Sequence, residues 1–247
     1  MLTLSPLALA YCAAVLVASY ALRGSTGFGG FAAMPLMALA VPMKVLVPVW
    51  TLLVITSSAT LIGHDRNHVS LRDIVHVVPS CLVGVAVGLY FFTTLDARLL
   101  ARSFGLLVLA YALYTLWNLR RTAPVTSRGS PAVTHTAGML AGAMGTVFGT
   151  MSSIFFAIYL DARRITKAQF RATISALMLL LALVRGAGYL AVGVFEREAL
   201  ILFALALPFM LIGMYLGDRV HARIDDATFK RLVCGVLLAS GVALLLK

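Results

Sequence analysis

Of the chain's 247 residues, 61% are hydrophobic and only 12% are charged, and the mean hydropathy is +0.98. Soluble domains carry about a quarter charged residues, so this balance excludes a water-solvated globular fold and leaves lipid as the solvent. A net charge of +11 would point to nucleic acid in a soluble protein. Here nearly all Lys and Arg fall in short loops between apolar runs, where they encode membrane orientation, so the expected partner is the bilayer and not nucleic acid.

A helix crosses the hydrocarbon core with about 20 apolar residues. The first such run is 4–22. Residues 1–6 carry no basic charge and no small-residue cleavage site leads into a soluble domain, so the run is expected to stay in the mature fold. After Arg23 comes a glycine-rich stretch, which predicts a helix ending at Leu22, a broken segment and a partial helix over 31–40. Apolar runs follow at 45–63, 74–95 and 103–119. The polar segment 120–135, with Pro124, Gly129 and Pro131, reads as a flexible connection. Beyond it lie 136–160, cut by Gly145 and Gly149, then 172–195, interrupted by Arg185, then 199–217 and a short run at 232–246. The pattern predicts an all-α integral membrane protein of about eight transmembrane helices. It divides into a first four-helix repeat (1–120), a polar linker (121–135) and a second four-helix repeat (136–247).

The halves share a pattern. Pro79, Gly84, Gly88, Leu95 and Asp96 recur as Pro208, Gly213, Gly217, Ile224 and Asp225, all shifted by 129 positions. Phe28 and Gly29 match Phe148 and Gly149 at a shift of 120, so both halves open on a helix broken at glycines. Duplicated multi-helix units are a device of secondary transporters, whose halves rock about a site held between them. Four full spans per half would orient the halves alike; an inverted arrangement needs a half-spanning segment in each.

Irregular backbone at membrane depth survives only where it faces protein or a water-filled cavity, so the glycine breaks mark a candidate site. The first break offers Gly24, Ser25, Thr26, Gly27, Gly29 and Gly30; the second offers Gly145, Thr146, Gly149, Thr150 and Ser152. A half-helix starting after each break would point its positive end at an anion. The alternative is that these small residues only let helices approach closely. Arg185, near the midplane of its span, needs a counter-charge, and the apolar runs contain no carboxylate, so a transported anion would supply it. It could instead snorkel or bind helix-end carbonyls. Arg23, just before the first break, invites the same anion reading.

No catalytic residues, metal ligands or cofactor are expected. Cys12, Cys81 and Cys234 stand singly in apolar runs, and no histidine has ligand spacing within a span. Gly24 to Gly27 is superficially like an intramembrane serine-protease loop, but the serine is misplaced and no base accompanies it.

The strings GSTGFGGFAAMPL, PxxxxGxxxG followed by LDAR, and GMLAGAMGTVFG resemble the sulfite exporter TauE/SafE family, also called the 4-toluene sulfonate uptake permeases, over essentially the whole chain. Thr150, Met151 and Ser152 stand where that family often keeps more glycine and proline. The resemblance implies a plasma-membrane carrier of two four-helix repeats that moves sulfite, sulfonates or related small organic anions. The competing reading is a membrane scaffold or accessory subunit; a homo-oligomer is left open. Partitioned over eight spans, Lys and Arg favour the side that holds Lys44, Arg98, Arg102, 163–171 and 219–231, which places it in the cytoplasm and both termini outside.

Overall fold

A computed structural model describes residues 6–26, 33–65, 68–119, 131–161, 163, 166–219 and 226–246. Gly27, Gly29, Gly30 and residues 120–130 of the polar connection lie outside the described residues. Among the described residues ten helices form: α1 (Pro6–Thr26), α2 (Ala33–Ala40), α3 (Met43–Asp65), α4 (Leu71–Thr94), α5 (Ala97–Leu119), α6 (Pro131–Phe148), α7 (Ser152–Asp161), α8 (Lys167–Ala191), α9 (Arg197–Arg219) and α10 (Asp226–Leu246). No strand occurs among the described residues. Six helices, α1, α3, α4, α5, α8 and α9, are long and apolar enough to cross a membrane. Helix is what such sequences must form in lipid, because it satisfies every backbone group within the segment. The chain is an all-helical, multi-pass membrane protein.

The helix boundaries depart from the sequence expectation in three places. The first helix runs on to Thr26 instead of stopping at Leu22, because Gly24 packs into α9: a Cβ there would meet the Met214 carbonyl oxygen at 2.7 Å. In the second half Gly145 stays helical, and the chain breaks only at Gly149 to Met151, where both residues have φ of 73°. Glycine adopts that conformation freely, whereas Met151 does so against its Cβ. Finally, α6 already begins at Pro131, inside the segment read as connection; proline is favoured at a first helical position, where its missing N–H costs nothing.

The breaks reverse the chain. Ser152 Oγ donates to the Ala141 carbonyl at 2.8 Å, so α7 returns along α6. Tyr11 donates to the Leu36 carbonyl at 3.2 Å, so α2 returns along α1. Both are helical hairpins, each leaving by the end at which it entered. Close packing then joins α4 to α6 and α9 to α1. Gly84 abuts Met139 and Ala143 while Gly88 abuts Ala143 and Thr146, so α4 and α6 run parallel. Gly213 abuts Val17 and Tyr20 while Gly217 abuts Ala21, so α9 and α1 run parallel too. By contrast α5 crosses α10 antiparallel, with Gly105 beside Gly241 and Leu244, and Gly241 beside Leu109. Helices α3 and α8 are also antiparallel: Ser70, beyond the end of α3, meets Thr173 near the start of α8, while Gly186 faces Thr51 and Ile55.

Candidate functional site

The hairpin tips meet α3 and α8 in the interior, and there the buried polar groups gather. Arg185 is 3% exposed and Arg23 6%, on α8 and α1 respectively. The carbonyls at the end of α6 carry its negative end. Arg185 binds there: Nη1 donates at 2.5 Å to the Gly145 carbonyl, which also accepts from the Gly149 N–H, and at 3.3 Å to the carbonyl of Gly149 just beyond the helix. One turn on, the Tyr189 hydroxyl donates to the Thr146 carbonyl. The helix-end reading of Arg185 therefore describes part of what this guanidinium does.

It does not use up the side chain. A guanidinium has five donors, and Nε of Arg185 is buried without a hydrogen-bond partner among the described residues. Arg23 repeats the situation: Nη2 donates to Ser58 Oγ at 2.7 Å, while Nε is buried and has no partner among the described residues. The Tyr20 hydroxyl, fully buried one turn before Arg23, has Ser57 as its nearest polar side chain and makes no full hydrogen bond among the described residues. Arg23 and Arg185 lie close enough to repel one another, and Tyr20 lies in the field of both. Neither arginine has an ion pair among the described residues. Two desolvated cations and three unused donors thus share one interior site, an arrangement that costs several kcal/mol unless an acceptor with negative charge completes it.

The other residues singled out from the sequence divide. Gly145 is part of the site, since a Cβ there would strike Ser152 Oγ and approach Arg185 Nη1 to 3.4 Å. Gly149 sits against Met34 and Val47 and needs its positive φ. Thr146 and Ser152 turn their hydroxyls to the Gly142 and Ala141 carbonyls, which leaves them as supports of the hairpin. Thr150 is buried at the tip. Gly24 packs on α9, as the close-approach reading holds. Ser25 and Thr26 are helical, their side chains outside the described set, as are Gly27, Gly29 and Gly30 altogether. Sequence reasoning passed over Tyr20, Ser57 and Ser58. Their signal was present, as adjacent hydroxyls in an otherwise apolar run and a tyrosine three residues from Arg23, on the same helix face.

A second polar cluster sits where α7 ends. The apolar run taken to start at 74 belongs to a helix starting at Leu71, so that span does contain a carboxylate, Asp73, 6% exposed. Its charge is met locally. Arg163 Nε donates to Oδ1 at 2.7 Å, Ser70 Oγ to Oδ2 at 2.6 Å, and the Tyr159 hydroxyl to the Asp73 backbone carbonyl at 3.0 Å.

The profile of the family described as "Sulfite exporter TauE/SafE" matches residues 11–244. "Probable inner membrane transporter protein TsaS" of Comamonas testosteroni is 30% identical over 189 residues, 74% of this chain and 75% of that protein. "Probable sulfite/organosulfonate exporter TauE" of Cupriavidus necator is 25% identical over 210 residues, 83% of this chain and 80% of that protein. No solved structure matches.

Proposed function

Because the chain belongs to the sulfite exporter TauE/SafE family and is a multi-pass inner-membrane transporter, we propose that it is a secondary carrier or facilitator for a small oxyanion: sulfite, a sulfonate or a related organic anion. The observation that carries this is the pair of buried guanidiniums, Arg23 and Arg185, with unused donors and no carboxylate partner among the described residues. A planar or pyramidal oxyanion fits guanidinium forks and would accept from both Nε atoms and the Tyr20 hydroxyl. Ser57, Ser58, Gly145 and the positive end of α7 complete the setting. The name of the Cupriavidus necator relative, a probable sulfite/organosulfonate exporter, points to the same class of cargo.

We read the architecture as two inverted repeats, α1–α5 and α6–α10, each a helical hairpin followed by three crossing helices. Supporting this, the glycine pairs of α4 and α9 each seat the first helix of the other half, and Pro79 and Pro208 occupy the same register. An odd number of crossings per half turns the second half over. The two hairpins then enter from opposite faces, and alternating access follows from rocking the halves about the arginine pair. The hairpin reading also redistributes charge. The loops and helix ends on the face where α4 starts hold thirteen Lys and Arg, against five on the other, Lys44, Arg98, Arg102, Arg197 and Lys247. This is a stronger bias than eight full spans give, and it makes the first face cytoplasmic with both termini outside. A reporter fused after Lys247 that is active only in the cytoplasm would contradict it.

The functional test is anion uptake into proteoliposomes. Arg185→Gln is expected to reduce uptake at least tenfold with the fold retained, and Arg185→Lys, which keeps charge but loses the fork, to reduce it less. Unchanged uptake in Arg185→Gln and Arg23→Gln alike would leave the scaffold reading standing.

A further inference from the structure

An apolar cavity of about 420 Å³ lies on the outer side of the hairpin α1–α2, between α1, α2, α3 and α9. It is lined by Leu16, Met37, Val41, Leu46, Val49 and Ala206 among others, with almost no polar surface. Its size falls in the range of small-molecule pockets, about 300–1,000 Å³. It opens sideways toward lipid, where Leu9, Leu205 and Phe209 are exposed.

What distinguishes this cavity is where its inner end leads. On α1, Cys12 and Leu16 line it, and the next residue on that face is Tyr20, one turn from Arg23. On α3, Leu46 and Val49 line it, followed by Trp50, Leu53 and Ser57. Tyr20 and Trp50 touch, ring centroids 5.7 Å apart, and so stand between the cavity and the guanidiniums. Arg23 lies about 10 Å beyond Leu16 at 1.5 Å per residue. An apolar chamber, an aromatic pair and two unneutralised cations therefore follow one another along a single path.

Resting on the anion reading above, we propose that the cavity is the chamber for the hydrocarbon tail of an amphiphilic anion, whose charged head binds at Arg23 and Arg185. The occupant is the cargo's tail and not a membrane lipid. The charged end of the path is at the interior and the apolar end at the outer leaflet, so a fitting molecule carries its charge inward. A phospholipid, its headgroup held at the bilayer surface, is oriented the other way.

The test is competition against ³⁵S-sulfite uptake in proteoliposomes by methane-, butane-, hexane- and octanesulfonate, with wild type and two variants that fill the cavity, Ala206→Phe and Ala13→Leu. Once the tail passes the aromatic pair, each buried methylene is expected to tighten inhibition about fourfold in wild type. In the variants the series flattens while sulfite uptake is unchanged. Ala13→Leu, the milder filling, keeps the test decisive if Ala206→Phe does not fold. No dependence on chain length in a wild type that still takes up sulfite would overturn the chamber and spare the anion site. Equal dependence in all three proteins would overturn it too, as would native mass spectrometry showing a phospholipid that Ala206→Phe expels. Absence of both sulfite uptake and sulfonate binding would remove the anion reading and the chamber with it.

Discussion

The two helical hairpins share a backbone design but finish differently. Where α7 ends, Tyr159 and Arg163 grip Asp73 at the start of α4, and Ser70, which also bonds Asp73, donates its backbone N–H to the Thr173 hydroxyl of α8. The positions related to Tyr159 and Arg163 by the shift of 120 are Leu39 and Met43, and the one related to Asp73 by 129 is Leu202. All three are apolar, and Leu202 lines the cavity beside α1 and α2. One end of the molecule is thus fastened by an ion pair with shared hydrogen bonds; at the other, the related positions are apolar and leave space, and Lys44 ties the start of α3 to the end of α4 through the Phe92 carbonyl without a carboxylate in the bond. Apolar packing is tolerant of sliding and refilling, whereas an ion pair with shared hydrogen bonds has one geometry. In the alternating-access reading proposed above, the Asp73 cluster is the closed mouth and the chamber lies on the opposite side.

The largest effects are expected where the two halves are alike. A Cβ on Gly84 would stand 2.2 Å from the Met139 carbonyl oxygen, and one on Gly217 2.0 Å from that of Ala21. In both cases the obstacle is backbone, which cannot rotate away. Gly84→Leu and Gly217→Leu should each force the paired helices apart, costing about 3 kcal/mol or more, and folded protein recovered from membranes should fall by comparable amounts. A severe loss for one and none for the other would break the equivalence of the α4–α6 and α9–α1 seams, and with it the inverted-repeat reading.

Much of this was readable from the chain. Membrane class followed from composition, and the partial helix over 31–40 appears as Ala33–Ala40. What the sequence concealed was direction. A glycine break looks the same whether the chain bends on or doubles back; the hydrogen bonds from Ser152 to Ala141 and from Tyr11 to Leu36 decide it. Arg185 and Arg23 were visible as isolated charges in apolar runs. Tyr20 was not, because a tyrosine in a membrane helix is ordinary until its hydroxyl is found buried without a full hydrogen bond among the described residues. The start of this span was set three residues late, at Ile74 instead of Leu71, which left Asp73 outside it, since hydropathy starts a span where charge stops, while the helix itself starts earlier to let the carboxylate sit at its positive end.

The smaller effect tests the contrast between the ends. Arg163, in the turn outside the spans, is held above its ordinary value first by the hydrogen bond to Asp73. A raised cation pKa contributes stability that is fully present below the unfolded value and lost only above the folded one, so the pair persists throughout the physiological range. Asp73→Asn keeps the size of the side chain and removes the charge, and Arg163→Gln removes the other partner. Each should weaken the closed inner end by about 1.5–3 kcal/mol, the worth of hydrogen bonds to a charged group, which is a shift of tenfold or more in the closed-to-open ratio. Two native thiols can read it. Cys12 lines the outer cavity, while Cys81 is buried beside Phe156 of α7 and Leu177 and Leu181 of α8. With Cys234 replaced, alkylation of Cys81 should speed up about tenfold in both variants, and that of Cys12 should slow as the outer side closes in exchange. Faster reaction at both thiols would mean general loosening, and unchanged rates at both would mean that the Asp73 cluster only staples α7 to α4 and that the gate lies elsewhere.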